Sequence, residues 1–187
     1  VIRALELGHY DLVKNLINDY ILKENINIES KLALLFESIN SIGYHIAIDP
    51  LINDILNNHD INKLSINDKY AIFGILYQIK HIEGTIKLGK SLLLHHHKDE
   101  LKDVNSQKYI SDILLEFMGS NIFIDFCITT FEKDKIDGML YSLINAYKIN
   151  RNYEKALQTI DHWLKENPGN KRMINKRNNI LESMQIQ

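Results

Sequence analysis

The stretch from residue 137 to residue 170 constrains the fold most, because it reads as one complete helical hairpin. In its first half, apolar residues recur three, four and seven positions apart, which places them along one face of a helix. Asn152 is suited to cap a second helix with the same periodicity. Pro168 and Gly169 then end that helix, since proline cannot continue the hydrogen-bond ladder and glycine tolerates left-handed backbone angles. Two short amphipathic helices cannot bury their apolar faces alone, so this hairpin needs neighbours of the same kind.

Looser versions of this hairpin recur along the chain. The breaks fall near residues 8, 43, 81, 119 and 151, at intervals of 32 to 38 residues. The predicted hairpins span roughly 1–23, 29–58, 66–97, 104–133 and 137–167, and an amphipathic helix over 170–185 would cover the last exposed face. We therefore predict an all-α fold. It would be an α-solenoid of about five antiparallel helical hairpins with a C-terminal capping helix, in a single domain over residues 1–187.

The composition fits a globular helical chain and argues against several other classes. With 187 residues, of which 45% are hydrophobic, the chain can bury a continuous core. Its net charge of −2 gives no general attraction to nucleic acid or to an acidic membrane. Cys127 is the only cysteine, so no disulfide can form within the chain, which fits a reducing, cytoplasmic location. Because Val1 already lies inside a helical pattern, we expect a fragment of a longer protein.

The hairpin at 137–170 resembles a tetratricopeptide repeat. The residues that carry the resemblance are Leu140, Leu143, Asn145, Ala146, Tyr147, Tyr153, Ala156, Leu164, Pro168, Gly169 and Asn170. Residues 67–100 are similar at Tyr70, Phe73, Gly74 and Tyr77. The other hairpins are similar mainly in their spacing, and Arg151 stands where the family usually turns with glycine. A more general helical-repeat solenoid remains an alternative.

In tetratricopeptide arrays the first helix of each pair lines a concave groove that holds an extended peptide or a partner helix. Carried onto matching positions, the resemblance implies a groove lined by Gln78, Ile79, Tyr109, Glu116, Tyr141, Asn145 and Lys148. Amide side chains can donate to and accept from a ligand backbone, while tyrosine and isoleucine supply apolar contact. The resemblance thus implies a non-catalytic scaffold that binds a protein or peptide, and it leaves a homodimer open.

The sequence gives little support to chemical functions. No glycine-rich phosphate loop, paired-cysteine site or helical zinc motif occurs, so we expect no enzyme activity, no cofactor and no metal. Three consecutive histidines follow Leu94, but neighbouring helical residues point about 100° apart and do not converge on one ion. A basic cluster near the C-terminus is expected to be a solvated outer face of the capping helix. Its members are Lys165, Lys171, Arg172, Lys176 and Arg177.

Two functional alternatives stay open at this point. The chain could be the recruiting or regulatory arm of a larger enzyme, for example a glycosyltransferase. It could also be the ligand domain of a peptide-sensing transcriptional regulator. Both are compatible with helical repeats, because such arrays often accompany a catalytic or DNA-binding domain. Membrane binding is not expected, and nucleic acid is a disfavoured partner.

Overall fold

The computed structural model describes residues 1–23, 26–95, 103–131 and 136–185. Within these residues every element of regular structure is helical, which confirms the prediction of an all-α chain. The α-helices are α1 (Ile2–Glu6), α2 (Tyr10–Leu16), α3 (Ile28–Ile42), α4 (Asp49–Asn58), α5 (Ile66–Gln78), α6 (Ile82–His95), α7 (Val104–Met118), α8 (Ser120–Phe131), α9 (Asp137–Ile149), α10 (Tyr153–Glu166) and α11 (Lys171–Gln185). His96, His97 and residues 132–133, which end two of the predicted hairpins, lie outside the described residues.

The helices belong to two compact units, Val1–Lys69 and Tyr70–Gln187, and the boundary falls inside α5. In the first unit α1 packs against α2 and α3, and α3 packs against α4. A π-helix over Ile17–Ile21 continues α2, and a 3₁₀ turn at Ile46–Ile48 precedes α4. Leu5, Leu35 and Leu51 form part of the core, each at most 1% exposed. The inclusion of both units in a single domain stays a prediction.

A buried ion pair joins α3 to α4 in the first unit. Lys31 Nζ lies 2.6 Å from Asp54 Oδ2 and 3.2 Å from His59 Nε2, and Asn58 Nδ2 donates to Asp54 Oδ1 at 2.9 Å. Burial alone would raise the pKa of Asp54, but the hydrogen bonds from Lys31 and Asn58 outweigh it, so the pKa is lowered. The ion pair therefore holds α3 against α4, and the charges of Lys31 and Asp54 each have a partner.

In the second unit, helices that follow one another in sequence pack together from α6 to α11. In addition, α7 packs alongside α9, the first helix of the next hairpin. Fully buried side chains such as Phe73, Leu114, Phe123 and Ile160 fill the spaces between these helices. Apolar residues at helical spacing thus bury one stripe of each helix against its neighbours, as an amphipathic pattern requires.

The ends of the helices follow the signals in the sequence. The side chain of Asp103 caps α7 by accepting from the backbone N–H groups of Asn105 and Ser106. Asn152 caps α10 in the same way, accepting from the N–H of Lys155. Between α9 and α10 the backbone of Arg151 takes a φ of +56°, so the turn reaches the left-handed region without a glycine.

Candidate functional site

The residues predicted to line a groove lie on three helices of the second unit. Gln78 ends α5 and Ile79 follows it, Tyr109 and Glu116 lie on α7, and Tyr141, Asn145 and Lys148 lie on α9. Gln78, Tyr109 and Glu116 are exposed, while Ile79, Asn145 and Lys148 are half-buried. Tyr141 is 5% exposed and belongs to the core. As a set, these positions stay a prediction of the ligand-binding residues.

Close packing at Gly138 fixes α7 and α9 side by side. The backbone N–H of Gly138 donates to Gln107 Oε1 at 2.9 Å. A Cβ atom built on Gly138 would lie 2.6 Å from the backbone nitrogen of Lys108 and 2.6 Å from the carbonyl oxygen of Val104. Only glycine allows the two helices to approach this closely, and the approach brings Lys108 of α7 near the side chains of α9.

A second contact between α7 and α9 is polar. Asp112 accepts from Lys108 one turn earlier on α7 and from the hydroxyl of Ser142 on α9. The charge of this carboxylate is therefore already balanced by a cation and a hydrogen bond. Lys108 is 25% exposed and Asp112 is 38% exposed, so the pair borders the solvent.

The last helix brings two further cations to this region. Lys176 Nζ donates to Asn145 Oδ1 at 2.8 Å, and the Arg172 guanidinium lies 4.8 Å from the ring centroid of Tyr141. Burial lowers the pKa of Lys176, and the positive charges of Lys148, Lys108 and Arg172 lower it further, while Asp112 opposes them. Cations from three helices thus gather on one face.

We call this face the cationic face, and it is formed by Lys108, Asn145, Lys148, Arg172 and Lys176. Sequence reasoning identified Asn145 and Lys148 but expected the basic residues of α11 to be a solvated outer surface. That expectation is wrong for Lys176, which is half-buried and bonded to α9. The i, i+4 spacing of Arg172 and Lys176 could have indicated a shared helix face.

The exposed end of α7 makes different contacts. Tyr77 and Phe117 have ring centroids 5.6 Å apart, and Lys80 Nζ lies 4.5 Å from the Tyr77 ring centroid. Glu116 accepts from the Tyr77 hydroxyl at 3.3 Å and lies 3.6 Å from Lys80 Nζ. Glu116 is therefore engaged with α5 and with the turn that follows it, whereas Tyr109, two turns earlier, keeps 46% of its surface exposed.

A cavity of about 410 Å³ lies between α9 and α10, and Phe131 at the end of α8 also lines it. Leu140, Leu143 and Trp163 supply apolar walls, and His162 and Thr159 supply polar atoms. The lining also includes Asp137 and Glu166, so the cavity combines apolar walls with acidic side chains. It contains no residue of the cationic face.

Cys127 and Asp161 carry groups that take part in covalent chemistry in other proteins, and the structure shows the surroundings of both. Cys127 is fully buried, and burial raises the pKa of its thiol, which keeps it protonated. Asp161 Oδ1 accepts a hydrogen bond from Arg177 Nε at 2.6 Å. No three His, Cys, Asp or Glu side chains converge as a metal site within the described part of the chain.

Across residues 1–23, 26–95, 103–131 and 136–185, no helix is both long enough and apolar enough to cross a membrane. Comparison of the chain with protein-family models, with curated proteins and with solved structures gives no match. The geometry of the helices and of the cationic face is therefore the basis for assigning a function.

Proposed function

We propose that the chain is a non-catalytic module that binds a protein or peptide partner on the face formed by α7, α9 and α11. Its hairpins would stack as tetratricopeptide-like repeats, with α11 as the capping helix. Support for this stacking comes from the second unit, where α7 packs alongside α9 and α8 packs against both. Such contacts are expected when each hairpin covers the apolar face of its neighbour.

The observation that carries the proposal is the convergence of side chains that suit a peptide ligand. Asn145 and Lys148 of α9 lie beside Lys176 of α11 and Lys108 of α7. Tyr109 adds an exposed aromatic ring on α7. Amide groups satisfy a ligand backbone, cations select its charge and an aromatic ring buries apolar area, which is the usual composition of a peptide-binding surface. None of these roles requires a covalent step.

Selection from a peptide library tests the proposal, because it requires no candidate partner. The intact chain is immobilised, bound peptides are enriched, and the dissociation constant of the best peptide is measured by isothermal titration calorimetry. Tyr109→Ala should weaken binding about tenfold, because truncation of an aromatic contact at an interface commonly costs more than 1 kcal/mol. The partial exposure of Tyr109 means that this change should leave the fold intact.

The matched control is Ile122→Ala, which removes an apolar side chain of α8 that is 61% exposed. This variant should bind the selected peptide with unchanged affinity, since Ile122 lies on the second helix of its hairpin. Equal loss in both variants, or loss only in the Ile122 variant, would show that the ligand binds elsewhere. Failure to enrich any peptide would also count against the proposal.

A further inference from the structure

Within the part of the chain that the structure describes, the cationic face brings together four cations, Lys108, Lys148, Arg172 and Lys176. Arg172, Lys148 and Lys108 lie close enough to Lys176 to lower its pKa, and Asp112 acts in the opposite direction. Asp112 is already bonded to Lys108 and Ser142. Since the whole chain has a net charge of −2, this gathering of cations is a property of the face and not of the composition.

The partner of Lys176 is also unusual for a half-buried ammonium group. Lys176 donates to the neutral amide of Asn145, whereas the adjacent Arg177 bonds to the carboxylate of Asp161. A cation that is partly removed from water and surrounded by like charges is held at a cost in free energy. A negatively charged ligand would remove part of that cost, so binding and relief of repulsion would act together.

We propose that the cationic face binds the aspartate or glutamate side chains of a partner peptide, with Lys148, Arg172 and Lys176 pairing with its carboxylates. This inference rests on the proposed peptide-binding function and specifies the chemistry of the ligand. Arg172 extends over Tyr141 and Lys176 is fixed by Asn145, so two of the three cations are already oriented. Side chains that are oriented before the ligand arrives lose less entropy when it binds.

The charge distribution favours an acidic peptide over nucleic acid. A polyphosphate ligand is usually matched by many cations spread along its length, in a domain with a strongly basic overall charge. Here the cationic face holds only four cations, and the chain as a whole has a net charge of −2. Asn145 and the exposed ring of Tyr109 provide the amide and apolar contacts that a peptide uses.

The test uses an acetylated and amidated octapeptide of alternating glutamate and alanine, labelled for fluorescence anisotropy, with an identical glutamine–alanine peptide as reference. The capped ends exclude any contribution from a terminal carboxylate. The glutamate peptide should bind the intact chain, and Lys148→Gln and Lys176→Gln should each weaken its binding about fivefold, which corresponds to one partly exposed ion pair. Glutamine removes the positive charge at Lys176 while keeping an N–H donor on a side chain of similar polarity.

Lys171→Gln is the matched control, because Lys171 is an exposed cation on α11 that is not one of the residues of the cationic face. It should leave the affinity unchanged. The inference is overturned if all three variants weaken binding equally, if the glutamine peptide binds as well, if neither peptide binds, or if a single-stranded oligonucleotide of equal charge binds more tightly. If the library selection gives neutral peptides that depend on Tyr109, the proposed function stands and the acidic ligand is wrong.

Discussion

Gly138→Ala tests the helix contact on which the cationic face depends. The added Cβ would lie 2.6 Å from two backbone atoms of α7, where ordinary contacts lie at 3.4–4 Å, so α9 must move away from α7. Overpacking of this kind costs about 1–3 kcal/mol. Movement would also break the bond from the Gly138 N–H to Gln107, at about 0.5–1.5 kcal/mol. Alanine regains about 0.5–1 kcal/mol of helix propensity, which leaves a net loss of about 2 kcal/mol.

Urea denaturation followed by the fluorescence of Trp163 measures this loss in the second unit, because Trp163 is the only tryptophan and lies on α10. Gly74→Ala is the matched control, since a Cβ at Gly74 of α5 meets nothing within 4 Å. That variant should be more stable by about 0.5–1 kcal/mol, through helix propensity alone. If Gly138→Ala were equally stabilising, the close approach of α7 and α9 would be refuted.

The structure also makes four predictions about Asp54, Cys127 and the cap of α7. Asp54→Asn should lower the free energy of unfolding of the first unit by about 3–5 kcal/mol, because it leaves Lys31 buried without its counter-ion. Denaturation followed by far-UV circular dichroism measures this loss. Replacement of Lys31 by Met together with Asp54 by Leu should restore most of it. The pKa of Asp54 in the folded chain is below its unfolded value of about 3.9. The stabilisation by the Asp54 carboxylate is therefore complete at neutral pH and should be lost as the pH falls below about 4 towards the folded-state pKa. An acid titration of the free energy of unfolding should show this loss in the unmodified chain and not in the Asp54→Asn variant. Cys127 should resist iodoacetamide in the native chain and react only at the rate of unfolding, so rapid native labelling would contradict its burial. Asp103→Ala should cost about 1 kcal/mol by removing the cap of α7, measured by the same Trp163 fluorescence.

The sequence predicted the helices of the second unit best where the apolar spacing and the residues that cap or end a helix indicate the same boundaries. In α9 and α10 the apolar spacing, the cap at Asn152 and the stop at Pro168 all indicate the same boundaries, and the helices end within a few residues of them. The left-handed backbone of Arg151 was harder to anticipate, because a non-glycine residue in that region depends on the packing of the helices around it.

The cationic face could be predicted only in part. Asn145 and Lys148 follow from their position on the first helix of a hairpin, but the direction of Lys176 does not follow from α11 alone. Long basic side chains can lie along an apolar surface while their charged ends reach water or a polar partner, so a lysine on a basic helix can turn towards a neighbouring helix that offers such a partner. The partner that decides the orientation, Asn145, is 31 residues away in sequence.

The close contact at Gly138 was also beyond sequence reasoning. A glycine in the first turn of a helix weakens the helix slightly and is commonly read as part of the preceding loop. Gly138 contributes to the fold because it has no side chain, and this absence has an effect only when another helix approaches within contact distance. Neither the periodicity of α9 nor that of α7 indicates that approach.

Nuclear magnetic resonance of the ¹⁵N-labelled chain tests the central claim most directly, namely that the face of α7, α9 and α11 is the binding surface. The best library peptide is titrated and the amide shifts are followed. We expect the largest shifts to cluster at Tyr109, Asn145, Lys148 and Lys176. Shifts confined to α8 and α10, or to the first unit, would contradict it.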